Sequence, residues 1–229
     1  MNPLARRLLA EGLGTMLLLA CVVGSGVMGV RLAQGNDAIA LLANAGATAG
    51  VLYVLISIFG PISGAHFNPA VTAAMALRRE LPWRDAVAYV IVQIGVAVAG
   101  VVLAHAMFGL ALIQPGIQMR TGAGIWVSEA VATFGLLLTI LLGVRHRPAS
   151  VATLVATYIF AAYWFTASTS FANPAVTLAR SLTQTFAGIR AGDVGGFVFA
   201  QMVGMGVAIG VERVLVGAVG RMRRQYVDW

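Results

Sequence analysis

The pentapeptide Asn68-Pro69-Ala70-Val71-Thr72 returns unchanged as Asn173-Pro174-Ala175-Val176-Thr177, 105 positions later. No other feature of the chain limits its possible folds so strongly. Pro is favoured at the first position of a helix, because its missing N–H would find no intrahelical partner there and its φ already fits. Asn just before it is a good N-cap. Each copy therefore predicts a loop that passes at once into a helix N-terminus, and each comes after a small-residue stretch, 63–67 and 168–172. The flanking segments are apolar and long enough to cross a bilayer. Inside a membrane such a break is tolerated only where it is buried in protein or lines a cavity. Two of them in corresponding halves point to a transport site.

Composition agrees with a bilayer. Hydrophobic residues make up 59% of the 229 and charged residues only 10%, where a soluble domain would carry about a quarter charged. The mean hydropathy is +0.88, and the chain is too short to hide its apolar runs in a soluble core. A net charge of +7 would suit a nucleic-acid partner, but the charges cluster at segment ends rather than on one face, which excludes that class. Cys21 is the single cysteine, so no intrachain disulfide is possible. The first apolar run has no small-residue cleavage site leading into a polar mature region, and it reads as a retained helix rather than a signal peptide.

Taken in order, apolar runs cover about residues 8–30, 38–60, 85–108, 125–144, 150–165 and 196–217. Each approaches the roughly 20 residues that a spanning helix needs. The second contains Gly46-Ala47-Thr48-Ala49-Gly50, a small-xxx-small spacing that predicts close helix approach. The helices after the two Asn-Pro-Ala copies, about 69–77 and 174–183, are too short to span. At 1.5 Å per residue the first reaches about 13 Å.

These pieces repeat. Glu11 with Thr15 matches Glu129 with Thr133, Asn68 matches Asn173, and Gln93 matches Gln201. Each half holds two full spans, a half-helix and a third span, with the halves at about 1–110 and 120–220 of a single transmembrane domain covering 1–229. Three spans per half is odd, so the halves insert with opposite orientation and the half-helix N-termini meet near the midplane. The predicted fold is an all-α membrane protein of six transmembrane helices plus two re-entrant half-helices in an inverted 3+3 repeat. Arg placement predicts cytoplasmic termini in an inner membrane: with the N-terminus inside, eleven Arg, among them Arg6, Arg78, Arg79, Arg145, Arg221, Arg223 and Arg224, fall on the cytoplasmic side, against Arg31, Arg120, Arg180 and Arg190 outside.

The paired Asn-Pro-Ala motifs, the run Ser63-Gly64-Ala65-His66-Phe67-Asn68-Pro69-Ala70 and the Glu-x-x-x-Thr pairs in spans one and four resemble the aquaporin and aquaglyceroporin (major intrinsic protein) family over the whole chain. The resemblance implies a passive channel, not an enzyme, with one pore per subunit of a homotetramer. Its physics is consistent. Each half-helix N-terminus carries about half a positive charge, and Asn68 and Asn173 present side-chain N–H groups to the lumen. Such a pair disfavours a proton wire, repels cations and passes uncharged solutes.

One position departs from the family pattern. Most members carry Arg directly after the second Asn-Pro-Ala; here it is Val176. Counting without gaps, the other filter positions fall on Thr48, Ala161 and Ser170, all small, although a slip in the count would bring Tyr163 or Trp164 in place of Ala161. The expectation is a wide filter passing glycerol-like polyols, urea, neutral metalloid acids or arsenicals, with some water. The arsenicals come from a similar bacterial subgroup that lacks the arginine. The alternatives are a water-selective pore and a secondary transporter. Arg180, one turn beyond Val176, is either a displaced vestibule charge or a helix-end cation beside the C-terminal dipole, solvated or paired. Glu11 and Glu129 are intramembrane carboxylates, read as supports for the re-entrant loops with a proton relay as the other reading. His66 is placed at the inner pore mouth. Three scattered His and one Cys make no metal site, and no cofactor is expected.

Overall fold

The computed structural model describes residues 3–225, with side chains as far as Val216. Arg221, Arg223 and Arg224, part of the sidedness count, have side chains outside the described residues. The chain forms α1 (Pro3–Ala33), α2 (Asp37–Ser63), α3 (Pro69–Leu77), α4 (Trp83–Met107), α5 (Ala123–His146), α6 (Val151–Phe165), α7 (Pro174–Arg180) and α8 (Val194–Gln225), with 3-10 turns at Pro148–Ser150 and Ala191–Asp193. Six of these segments are long and apolar enough to cross a membrane.

Local chemistry sets the boundaries. Asn36 caps α2, its side chain accepting from the N–H groups of Ala38 and Ile39 at 3.1 and 3.2 Å. Gly64 ends that helix at φ +89, a left-handed conformation that glycine adopts without a Cβ penalty. Asn68 and Asn173 cap α3 and α7 with Pro at the first helical position of each. α7 has seven residues and stops at Arg180, short of the expected end at 183. It stops because the chain turns back: the Arg180 carbonyl accepts from Ile189 N–H at 3.2 Å, and the Ser181 carbonyl accepts from Gly116 N–H at 2.7 Å.

Helix order and packing repeat across the chain. α1 lies against α2 and α4, and α5 against α6 and α8. The repeats interlock, since α3 packs on α8 as well as α4, and α7 on α4 as well as α8. Where helices touch most closely the glycines differ from those expected. Gly46 and Gly50 are exposed on α2, and a Cβ on Gly50 would meet nothing within 4 Å. The close crossings are instead at Gly100, where a Cβ would stand 2.5 Å from the Met16 carbonyl, and at Gly204, where it would stand 2.2 Å from that of Ala130. A helix shows its own side chains and not its neighbour, so spacing marked a small-residue face without saying which helix would meet it.

Polarity is distributed as a bilayer demands. Ile91, Phe199 and Val214 stand exposed on the outer surface, while Glu11, Gln93, Glu129 and Gln201 are wholly buried between helices. Carboxylates and amides in that setting need hydrogen-bond partners, and they find them at the re-entrant loops.

Candidate functional site

The two half-helices meet head to head through their caps. Asn68 Nδ2 donates to the Ala172 carbonyl at 2.7 Å, and Asn173 Nδ2 donates to the Phe67 carbonyl at 2.8 Å. Each amide thus binds the residue just before the opposite Asn. Their Oδ1 atoms accept from their own helices, Asn68 from Ala70 N–H at 2.9 Å and Asn173 from Ala175 and Val176 N–H at 3.0 and 3.3 Å. Every carboxamide carries two N–H groups, so each Asn has a second one beyond this cross-bond, and both residues line the central cavity. Pro69, Ala70, Pro174 and Ala175 are buried behind them and set the first helical turns.

The loops leading to these caps are held in an uncommon conformation. Ala65 and Phe67 both have φ +50 in the first loop, and Ser170 and Ala172 have φ +50 and +48 in the second. Non-glycine residues there cost about 1 kcal/mol or more each and persist only when the surroundings impose them. The intramembrane carboxylates supply that constraint. Glu11 accepts from Ser63 Oγ at 2.6 Å, His66 N–H at 3.0 Å, Phe67 N–H at 2.7 Å and Gln93 Nε2 at 2.9 Å. Glu129 accepts from Phe171 N–H at 3.3 Å, from Ala172 N–H, and from Gln201 Nε2 at 2.7 Å. The two Gln also donate to Thr72 Oγ1 at 3.0 Å and Thr177 Oγ1 at 2.8 Å, on the half-helices. Neither carboxylate lines the passage, an arrangement suited to bracing loops rather than to relaying protons through the lumen.

One cavity of about 250 Å³ reaches from Glu80 and Val144 past both Asn to Thr48, Tyr163 and Arg180. His66 lines it on the α3 side, with Nδ1 3.1 Å from Thr72 Oγ1 and its ring 5.5 Å from that of Tyr89. At that end Arg78 contacts Glu80 at 2.9 Å and Glu212 at 2.5 Å. Burial pulls the Arg78 pKa down, but the hydrogen bonds and charges of the two carboxylates outweigh it and hold the pKa above its ordinary value.

On the α7 side, Thr48, Ser170 and Val176 line the cavity and Ala161 does not. Ala161 sits on the exposed surface of α6. Two residues on, roughly 200° around the helix, Tyr163 faces the lumen with its hydroxyl 3.3 Å from Thr48 Oγ1. Trp164 is exposed as well. The ring therefore occupies a position that a gapless count gave to a small side chain, because α6 is rotated so that Ala161 faces outward and Tyr163 inward.

Arg180 is not a solvated helix end. It is 2% exposed, donates from Nε to the Ala187 carbonyl, and stacks on Phe171 with its guanidinium carbon 3.4 Å from the ring centroid. Its Nη1 is buried without a protein partner, as is Ser170 Oγ, and both residues line the cavity. Sequence reasoning missed Arg120. Its guanidinium lies 5.1 Å from the same ring and donates to the carbonyls of Gly188 at 2.9 Å and Phe186 at 3.4 Å and to Thr169 Oγ1 at 3.4 Å. Burial lowers the pKa of Arg120, and the charge of Glu129 partly opposes this. An aperiodic loop carries no pattern that would have placed it. The only sequence signal is that it is one of four Arg on the side expected to be poor in them.

Comparison with known proteins accords with this geometry. The chain matches the major intrinsic protein family over residues 2–167. It is 54% identical over 222 residues to aquaglyceroporin AqpS of Rhizobium meliloti (strain 1021), covering 97% of this chain and 95% of that protein. It is 37% identical over 145 residues to probable aquaporin PIP2-8 of Oryza sativa subsp. japonica, over 60% of this chain and 51% of that one. In three dimensions it is similar to the aquaglyceroporin of Plasmodium falciparum, with a TM-score of 0.74 at 17% identity, over 95% of this chain and 99% of that one.

Proposed function

The chain belongs to the major intrinsic protein family, and from that premise we propose that it passes uncharged solutes larger than water between Asn68 and Asn173. It is a multi-pass membrane channel for small solutes and not an enzyme. The solute class is glycerol-like polyols, urea and neutral metalloid acids, arsenicals among them, with some water. The observation that carries this reading is Val176, an apolar side chain lining the cavity along with Thr48 and Ser170, where a fixed donor would narrow and charge the filter. The name of the 54% identical relative, an aquaglyceroporin, supports it. Rejection of cations then rests at the midplane on the opposed N-termini of α3 and α7, whose partial charges are positive.

The remaining assignments complete the proposal. The chain is one transmembrane domain, 1–229, of halves about 1–110 and 120–220. Its termini are cytoplasmic, its membrane is the inner one and its assembly is a homotetramer. Thr48, Tyr163, Ser170 and Val176 form the filter, with His66 toward the opposite mouth.

Tyr163 favours a second reading, a narrower and water-selective pore. Light-scattering measurements on proteoliposomes separate the two. Flux of glycerol and urea above empty liposomes supports the solute channel, and water flux with complete exclusion of both supports the second. In V176R the added fork of donors is expected to cut glycerol flux by about ten-fold while water flux falls less. Unchanged glycerol flux would place the constriction elsewhere.

A further inference from the structure

We propose that Arg180 is the solute-contacting donor at the α7 end of the passage, where its guanidinium offers N–H to an acceptor oxygen of a passing polyol, amide or oxyacid. This rests on the solute-channel reading above.

Position comes first. Val176 and Arg180 lie four residues apart on α7 and so share a face, and both line the cavity. The wall is thus apolar at Val176 and carries a cation one turn further along. Bonding comes second. Arginine has five N–H groups and no acceptor. Here Nε is bound to the Ala187 carbonyl while Nη1 is buried with no partner, and among the described residues Arg180 forms no ion pair. An unmatched buried donor on a charged group is costly, and an oxygen arriving in the lumen removes that cost.

Orientation comes third. The Phe171 ring under the guanidinium and the carbonyl on Nε fix its plane, so little side-chain freedom is lost when a solute binds. Arg120, on the same ring, is the contrast: backbone carbonyls and Thr169 take up its donors, and it does not line the cavity. Apolar groups of Phe171, Val176 and Val22 line the cavity as well. The site therefore suits a solute with acceptor oxygens on one side and carbon or another weakly polar surface on the other.

The test uses the full chain in proteoliposomes and reads the glycerol-to-water flux ratio. R180M gives this position the side chain that Met75 supplies at the equivalent point of the first repeat. The ratio is expected to fall about ten-fold, the factor that loss of one charge-assisted hydrogen bond gives. R180K keeps a charge but not the planar fork and is expected to lie between. An R180M protein that elutes as the wild type and whose ratio is unchanged or higher overturns the assignment. Should R180M not fold, R180K at the wild-type ratio overturns it instead. A wild type that passes no glycerol sinks the solute reading and this assignment together, whereas wild-type glycerol flux with an unmoved R180M ratio sinks this assignment alone.

Discussion

Met75 and Arg180 stand at equivalent points of the two repeats, each one turn beyond the Val of an Asn-Pro-Ala-Val-Thr motif, and both line the passage. Everything beneath them is duplicated. Each half has an Asn cap that donates to the opposite loop. Each has a left-handed pair of loop residues, a buried Glu that accepts from that loop, and a Gln that ties the Glu to the half-helix Thr. At the rim the halves diverge. The α3 end has a thioether in the lumen, and a cation there, Arg78, is paired with Glu80 and Glu212. The α7 end turns one cation, Arg180, inward, stacked on Phe171 and without an ion-pair partner among the described residues. The duplicated parts meet a demand that is the same in both halves, holding an irregular backbone inside a bilayer. The rim is free of that demand, and there chemistry differs from end to end.

The comparison breaks most easily at the braces. Glu11→Ala and Glu129→Ala each orphan several buried donors, and each is expected to cost about 3 kcal/mol or more. The two variants should fall by similar amounts, since each carboxylate accepts from two backbone N–H groups, a Gln and a Ser, Ser63 for Glu11 and Ser168 for Glu129. Thermal unfolding in detergent reads this directly, and a wild-type midpoint for either variant would show that the loops hold themselves. A smaller effect is expected at the caps. Asn68→Ala and Asn173→Ala lose a helix cap and a cross-repeat bond, about 2 kcal/mol in total. The two losses should be nearly equal if the midplane is truly symmetric, so midpoints that differ widely between the variants would reveal that one half-helix carries the other. The smallest change belongs to the rim: Tyr163→Phe removes a 3.3 Å contact with Thr48 and is expected to cost no more than about 1 kcal/mol. A severe loss of stability would mean that this tyrosine is part of the scaffold and not of the filter.

Much of the scaffold was legible in the sequence because its signals are local or repeated. Pro69 and Pro174 after Asn mark helix starts without reference to anything distant, and α3 ends where its apolar run ends, at Leu77. Glu11, Gln93, Glu129 and Gln201 stand out because polar groups are costly inside apolar spans, and the repeat pairs them. Ala161 shows where this fails. Its place was counted along the chain, but facing the lumen depends on how α6 rotates against α2, and that rotation put Tyr163 inside. α7 ended early for a similar reason, since Gly116, in the loop between the repeats, donates to the carbonyl of Ser181.

Residue order alone determined the membrane class, the count of spans, the inverted repeat and the central Asn pair, because bilayer thickness and backbone hydrogen bonding leave so few ways to place such a chain. Packing in three dimensions decided the wall of the passage: which side of α6 turns inward, which glycines bear a crossing, and that Arg180 is stacked with its Nη1 unpartnered while Arg120 is turned to loop carbonyls. Those outcomes depend on groups far apart in the chain arriving within hydrogen-bonding distance, and no local pattern encodes such a meeting.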